Sequence, residues 1–202
     1  MVEKPALTRK VAILLFDDVE VLDFAGPFEV FSVTAEINPG KFFQVYTVAE
    51  VESPILTRNG LSVNPDHALA NCPPPDILIV PGGQGTRLAM KNPAILDWVK
   101  RTADETELVL SVCTGALVLG AAGLLDGLRV TTHHQVFDLL REVAPQSQVV
   151  EDERFIDNGH VITSGGISAG IDMCLYVVGK LFGEAYRLKT AAYMEYRLVG
   201  ES

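Results

Sequence analysis

A cysteine between a predicted strand and a predicted helix is the residue in this sequence best placed to do chemistry. Residues 108–112 form an apolar run of the length of a buried strand, and residues 116–125 form a longer run of small and aliphatic residues. Cys113 lies at their junction, followed by Thr114 and Gly115. This arrangement resembles a nucleophile elbow, with Cys in place of Ser. The helix that follows directs its free N–H groups and positive dipole end at the sulfur, so we expect a lowered thiol pKa.

Polar and glycine residues follow several other predicted strands. In an open parallel sheet the ligand site lies at the carboxyl ends of the strands, so these residues are expected to meet around Cys113. A glycine pair offers unobstructed backbone N–H groups for a developing anion, and a carboxyl can act as acid or base. The candidates, in chain order, are Asp23, Gly82, Gly83, Thr114, His133 and His134.

Alternating apolar and amphipathic segments predict the fold that would position these side chains. Apolar runs predict strands at 10–16, 42–49, 76–80, 108–112, 128–133 and 148–152, and helices are predicted at 27–37, 92–103, 116–125, 135–143 and 167–198. We place Pro27 in the first turn of its helix and an interruption near Gly183. Turn signals predict hairpins at 55–63 and 154–162. The result is an α/β fold with a doubly wound, mostly parallel sheet, helices on both faces and added hairpins, in one domain spanning residues 1–202.

Composition and charge exclude several classes of protein. The chain has 202 residues, of which 48% are hydrophobic, and a net charge of −10, which argues against nucleic-acid or anionic-membrane partners. No signal peptide and no run of transmembrane length is present. Three scattered cysteines do not form a disulfide framework or a zinc site. We therefore expect a cytoplasmic protein that needs no cofactor or metal.

Four separated motifs occur in order along the chain: Leu-Asp-Phe-Ala-Gly-Pro at 22–27, Val-Pro-Gly-Gly at 80–83, Ser-Val-Cys-Thr-Gly at 111–115 with Ala-Ala-Gly-Leu-Leu-Asp-Gly at 121–127, and Thr-Thr-His at 131–133. Together they resemble the ThiJ/PfpI superfamily, which is class I glutamine amidotransferase-like. The similarity extends to the Ser-Gly-Gly segment that begins at 164. Within the superfamily the sequence is most similar to the isocyanide hydratase branch and to the amidase-like N-terminal domains of AraC-type regulators. The resemblance implies a flavodoxin-like fold, a small-molecule substrate and a homodimer.

The resemblance also assigns roles. The reactive cysteine of the family falls on Cys113 and its acidic partner falls on Asp23. The backbone donors near the sulfur fall on Gly83, Thr114 and the Cys113 amide. A histidine that some members use falls on His133. Hydratases of the family carry Trp at the next position, where this chain has His134, so the substrate stays open.

Each candidate also has a structural interpretation. Asp23 is also suited to cap a helix beginning near Pro27, and Gly82 and Gly83 suit a tight turn. Cys72 and Cys174 are expected to be ordinary buried cysteines. His133 and His134, on one strand, would point to opposite faces and would not share a metal.

The function predicted by the resemblance is a cysteine-dependent hydratase that adds water to an isocyanide and yields an N-formamide. Three alternatives stay open. One is another cysteine chemistry of the superfamily, as a glyoxalase, deglycase or peptidase. Another is a ligand-sensing domain like that of AraC-type regulators, although the chain ends at Ser202 without a predicted helix-turn-helix pair. The third is a redox sensor in which Cys113 is oxidised without turnover.

Overall fold

A seven-stranded sheet forms the centre of the molecule. The computed structural model describes residues 8–38, 40 and 42–198. Its strands are β1 Arg9–Leu14, β2 Phe43–Ala49, β3 Ile55–Leu56, β4 Ser62–Val63, β5 His67–Ala68, β6 Ile77–Val80, β7 Leu108–Ser111, β8 Arg129–Val130, β9 Gln148–Val149, β10 Phe155–Asp157 and β11 Val161–Ser164. The order in the main sheet is β10-β11-β7-β6-β1-β2-β5, and only β10 runs antiparallel to its neighbour.

The helices pack in two groups around this sheet. They are α1 Val21–Ile37, α2 Thr86–Ala89, α3 Pro93–Glu105, α4 Gly115–Ala121, α5 Phe137–Val143, α6 Ala169–Phe182 and α7 Glu184–Tyr193. Helices α1, α6 and α7 contact one another, whereas α4 contacts α2, α3 and α5. This architecture confirms the predicted α/β class with a mostly parallel sheet. None of the helices in the described ranges is long and apolar enough to cross a membrane.

The central strands are buried on both faces, as their continuous apolar runs predicted. Every residue of β6 and β7 is buried, and the last four residues of β1 have no exposed surface. Full burial of one such aliphatic side chain stabilises the fold by about 1.5–3 kcal/mol. The two predicted hairpins are present as β3–β4 and β10–β11, and Gly183 separates α6 from α7 with a φ of 103°.

Two predictions about individual elements are wrong, namely the start of the first helix and the place of two strands in the main sheet. Helix α1 begins at Val21, so Asp23 lies inside its first turn and Pro27 lies in its interior. Because proline lacks an N–H, α1 has one hydrogen bond fewer at the turn that contains the buried Pro27. Strands β8 and β9 pair with each other outside the main sheet. Sequence reasoning also missed β5 and α2, which are two and four residues long, too short for a periodic signal.

Candidate active site

Cys113 lies on the tight turn between β7 and α4. Its φ is 57°, a conformation that side-chain-bearing residues rarely adopt. The turn is held from both sides, because the Cys113 N–H donates to the Gly165 carbonyl at 3.1 Å and the Thr132 hydroxyl donates to the Cys113 carbonyl at 2.7 Å. Only 5% of Cys113 is exposed. This is the geometry of the predicted elbow.

Asp23 reaches the same turn from α1, although ninety residues separate it from Cys113 in the chain. Its side chain is fully buried. Oδ2 accepts a hydrogen bond from the Gly82 N–H at 3.1 Å, and the carboxyl lies close enough to the Cys113 thiol for each group to shift the pKa of the other. Oδ1 has no partner of standard hydrogen-bond geometry within the described ranges. One carboxyl oxygen is therefore left for the thiol or a substrate.

The glycine pair after β6 holds the two side chains beside the cysteine turn, those of Asp23 and Thr114. A Cβ on Gly82 would lie 2.7 Å from Asp23 Oδ2 and 2.6 Å from the Thr114 amide nitrogen. The Gly83 N–H donates to Thr114 Oγ1 at 2.9 Å, and that hydroxyl is also 3.0 Å from the Gly83 carbonyl oxygen. The amides expected to bind an oxyanion are thus bonded to the side chains of Asp23 and Thr114, and the Cys113 amide is bonded to a carbonyl.

Two other backbone N–H groups, those of Thr114 and Ile167, lie near the sulfur and act to lower the pKa of the Cys113 thiol. Ile167 has a φ of 52°, which is a strained conformation for a β-branched residue. Sequence reasoning did not single out Ile167. The available signal was the Gly165-Gly166 pair after β11, which parallels the Gly82-Gly83 pair after β6 at the same edge of the sheet.

The pKa values of the two central groups are both raised. Burial raises the pKa of the Asp23 carboxyl from 3.8 to about 7, against the lowering effects of its contacts with Cys113 and Gly82. Burial, and then the charge of Asp23, raise the pKa of the Cys113 thiol to about 12. The two N–H groups at the sulfur act in the opposite direction but do not outweigh burial. The expected lowering of the thiol pKa is therefore not found, because desolvation exceeds the effect of the helix end.

A narrow pocket opens onto Cys113. Its volume is about 40 Å³, and its lining residues are Glu20, Arg58, Gly83, Gln84, Arg87, Cys113, Thr114, His133, Gln135, Val136 and Ile167. A water molecule needs about 10–15 Å³ on this measure, so the pocket holds only a few small atoms.

The two histidines are not on a strand, and their predicted orientation is wrong. Strand β8 ends at Val130, and His133 precedes a short 3-10 turn, so the two rings lie side by side with centroids 4.3 Å apart. His133 lines the Cys113 pocket, whereas His134 lines a separate acidic pocket. His133 Nδ1 accepts from the Gln135 N–H at 3.3 Å.

His133 is poorly placed to act as a base for the thiol. Burial lowers the pKa of His133, and the electrostatic effects of His134, Arg58 and Arg87 lower it further. No hydrogen bond joins it to Cys113 in the described part of the chain.

The other cysteines stand apart from this pocket. Cys174 is fully buried in α6, and Cys72 is half-buried with its thiol donating to the Pro73 carbonyl at 3.3 Å. Over the residues that the structure describes, no group of three or more His, Cys, Asp or Glu side chains is arranged to bind a metal ion.

Together the sheet and the site define a flavodoxin-like α/β protein with a cysteine at a strand-to-helix turn beside a buried carboxyl. Residues 9–180 match the DJ-1/PfpI family, and the chain belongs to this family. An isonitrile hydratase from Pseudomonas putida is 37% identical over 177 residues, which cover 88% of this chain and 74% of the hydratase. The resemblance inferred from the motifs is thereby confirmed.

Other similar proteins include a transcriptional regulator and solved structures of the same fold. The HTH-type transcriptional regulator CdhR from Pseudomonas aeruginosa is 32% identical over 170 residues, which cover 84% of this chain but half of the regulator. Among solved structures, a ThiJ/PfpI family protein from Pseudomonas syringae superposes with a TM-score of 0.86 at 28% identity, covering 97% of this chain and 78% of that one. Drosophila melanogaster DJ-1beta shares the fold, with a TM-score of 0.81 at 17% identity. The superposition covers 95% of this chain and 100% of DJ-1beta.

Proposed function

We propose that this protein is a cysteine-dependent hydratase that converts a small isocyanide into an N-substituted formamide. The observation that carries the proposal is the fully buried Asp23 carboxyl beside the Cys113 turn, where its Oδ2 accepts from the Gly82 N–H and Gly82 packs closely against the Thr114 amide. The similarity to an isonitrile hydratase supports the same reaction class. In this proposal Cys113 is the nucleophile and Asp23 is the acid and base.

The first step is attack of the sulfur on the terminal carbon of R–N≡C. Because the thiol has a higher pKa than the carboxyl, the pair keeps its proton on sulfur when Asp23 is ionised. As the C–S bond forms, this proton moves to the Asp23 carboxylate and from there to the attacked carbon. The product is a thioimidate, R–N=CH–S–Cys113, and the carboxylate is regenerated.

The second step is hydrolysis of the thioimidate. The water oxygen bonds to the same carbon while Asp23 takes one proton from the water and passes it to the nitrogen, which gives R–NH–CH(OH)–S–Cys113. The C–S bond then breaks, R–NH–CHO leaves, and the hydroxyl proton passes through Asp23 to the sulfur, which restores the thiol. One carboxyl with a pKa of about 7 suits both roles, because it gains and loses a proton with little cost at neutral pH.

The backbone groups around the pair have a positioning role in this proposal. The Gly82 and Gly83 amides hold Asp23 and Thr114 by hydrogen bonds, which fixes the carboxyl and the turn residue next to the sulfur. The Thr114 and Ile167 amides stabilise negative charge on sulfur as the thiol gives up its proton. The predicted oxyanion role of the glycine amides stays a prediction.

The test is formation of N-formamide from cyclohexyl isocyanide and 4-nitrophenyl isocyanide, followed by chromatography. We expect turnover by the natural protein, none by Cys113→Ala, and a loss of about 100-fold or more with Asp23→Asn. Cys72→Ala is the matched control, because Cys72 lies outside the pocket, and should retain activity. Turnover that persists in Cys113→Ala would overturn the proposal.

A peptidase, glyoxalase or deglycase on the same fold is distinguished by His133. The peptidases of the superfamily use this histidine, whereas the present geometry leaves it without a bond to the sulfur. If His133→Ala abolishes activity on a peptide or a glyoxal while isocyanides are not hydrated, the alternative replaces the hydratase.

A sensing function has its own observation, the 32% identity to a transcriptional regulator. Peroxide titration with intact-mass detection separates redox sensing from turnover, because a sensor gains oxygen atoms at Cys113 while hydrating no isocyanide.

The remaining expectations belong to the same proposal. We expect a single cytoplasmic domain that acts on a small molecule, and a homodimer that uses the exposed apolar residues of α1. Leu22 and Phe28 are 39% and 37% exposed, which suits a self-complementary contact. Light scattering coupled to gel filtration tests this, and Phe28→Glu should give the monomer if the contact is correct.

A further inference from the structure

Two arginines line the Cys113 pocket, and their electrostatic environments differ. Arg58 forms an ion pair with Glu20, with Nη1 3.0 Å from Oε2. Arg87 forms no ion pair with any carboxylate in the described ranges. Its guanidinium therefore has no carboxylate partner of its own, although it lines the same pocket as the sulfur.

The hydrogen bonds of Arg87 hold its guanidinium in place and leave some of its N–H donors free. Nη1 donates to the Gly83 carbonyl at 3.2 Å and is 3.1 Å from Thr86 Oγ1, and both partners are neutral. A guanidinium has five N–H donors in a planar fork. Over the described residues no hydrogen bond originates from Nε or Nη2 of Arg87, so these donors stay available to a ligand.

An unpaired arginine is notable in this acidic protein, whose net charge is −10. Most arginines in the described part of the chain form an ion pair with a carboxylate. The arginines that do so are Arg9, Arg58, Arg129, Arg141, Arg154 and Arg187. Arg101 resembles Arg87 in lacking a carboxylate partner, but it lies on α3 and lines the pocket of Cys72 instead. It provides a control arginine outside the Cys113 pocket.

Pocket size determines where a substrate substituent would lie. The volume of about 40 Å³ accommodates a linear isocyano group and little more. The substituent on nitrogen would then lie along the rest of the pocket, whose lining includes the half-buried Arg87. A planar carboxylate matches the free edge of a guanidinium and forms two charge-assisted hydrogen bonds with it.

We infer that the substrate of this site carries a carboxylate and that Arg87 binds it in the Cys113 pocket. This inference rests on the proposed function, from which it takes the isocyano group as the group that reacts with Cys113. The recognised class would be isocyanides with a carboxylate on the substituent, and Arg87 would be the residue that determines this specificity.

The first test is independent of isocyanide chemistry. Iodoacetate and iodoacetamide alkylate thiols, forming a C–S bond and releasing iodide, and they differ chiefly in the presence of a carboxylate. The rates at Cys113 are followed by peptide mass in the natural protein, Arg87→Gln, Arg87→Lys and Arg101→Gln. The ratio of the iodoacetate rate to the iodoacetamide rate removes effects common to both reagents, including changes in thiol reactivity.

We expect this ratio to fall by about tenfold in Arg87→Gln, which corresponds to about 1.4 kcal/mol, and to fall less in Arg87→Lys, which keeps the charge but loses the fork. Arg101→Gln should leave the ratio unchanged. In the natural protein 1 M NaCl should reduce the ratio, because salt screens a charge that is only half-buried. An equal ratio in the natural protein and Arg87→Gln would overturn the inference.

The second test joins the inference to the proposed function. Potassium 4-isocyanobenzoate and 4-nitrophenyl isocyanide have nearly the same shape, and only the first carries a charge. The ratio of their kcat/KM values should fall by about tenfold in Arg87→Gln. Hydration of both with an unchanged ratio overturns the inference and leaves the hydratase. Hydration of neither, with a changed alkylation ratio, overturns the hydratase but supports recognition of a different carboxylate-bearing electrophile.

Discussion

Replacing Asp23 by Asn should change how the stability of this protein depends on pH. The carboxyl is fully buried, and burial raises its pKa from 3.8 to about 7. A carboxyl whose pKa is higher in the folded state stabilises the fold fully below the unfolded pKa of 3.8, and this contribution is lost as pH rises through about 7. Asn has nearly the same shape and no ionisation, so it removes the pH-dependent contribution.

The magnitude follows from the two pKa values. A shift of about three units corresponds to about 4 kcal/mol over the full range, of which about 2.5 kcal/mol falls between pH 5 and pH 8. The free energy of unfolding of the natural protein should therefore fall by about 2.5 kcal/mol more than that of Asp23→Asn over this interval. At pH 8 the variant should be the more stable protein, because it no longer contains a buried carboxylate.

The assay is urea unfolding at pH 5, 6, 7 and 8, followed by far-ultraviolet circular dichroism. The quantity compared is the difference between the two proteins at each pH, which cancels the titration of groups they share. Asp97→Asn, on the exposed side of α3, controls for the loss of one negative charge from an acidic protein. A difference that stays constant from pH 5 to pH 8 would refute the raised pKa, and with it the proton exchange between Asp23 and Cys113.

Three further substitutions test the site and the backbone packing around it. Glu20→Gln should lower the pKa of Asp23, because the charge of Glu20 raises that pKa. The pH at which the Cys113 alkylation rate rises should then be lower in the variant. An unchanged pH profile would contradict this coupling between Glu20 and Asp23. Gly82→Ala should reduce kcat/KM about 100-fold, because its Cβ would displace the carboxyl of Asp23, and near-normal kinetics would contradict the packing. Gly115→Ala should lower the free energy of unfolding by about 3 kcal/mol in urea titrations, because its Cβ would lie 2.0 Å from the carbonyl oxygen at the end of β6; a smaller loss than about 1 kcal/mol would contradict it.

The sequence alone determined the buried strands, the tight turns and the position of the cysteine, because these features follow from local patterns of residues. Continuous apolar runs predict buried strands, and β6 and β7 are buried at every position. Glycine pairs and an Asn-Gly turn specify backbone conformations that larger residues avoid, so the Gly82-Gly83 turn and the β3–β4 hairpin were predictable. The position of Cys113 between a strand and a helix follows from the same kind of pattern.

Only the tertiary structure decided what surrounds the sulfur. The burial that raises the pKa of Asp23 and of the thiol is a property of the packed core, so local rules predicted the wrong direction for Cys113. The strained Ile167 amide reaches the sulfur because β11 lies beside β7 in the sheet. The pairing of Arg58 with Glu20 likewise joins residues far apart in the chain. Burial, strain and charge compensation arise from contacts between distant segments, and no local pattern of residues encodes them.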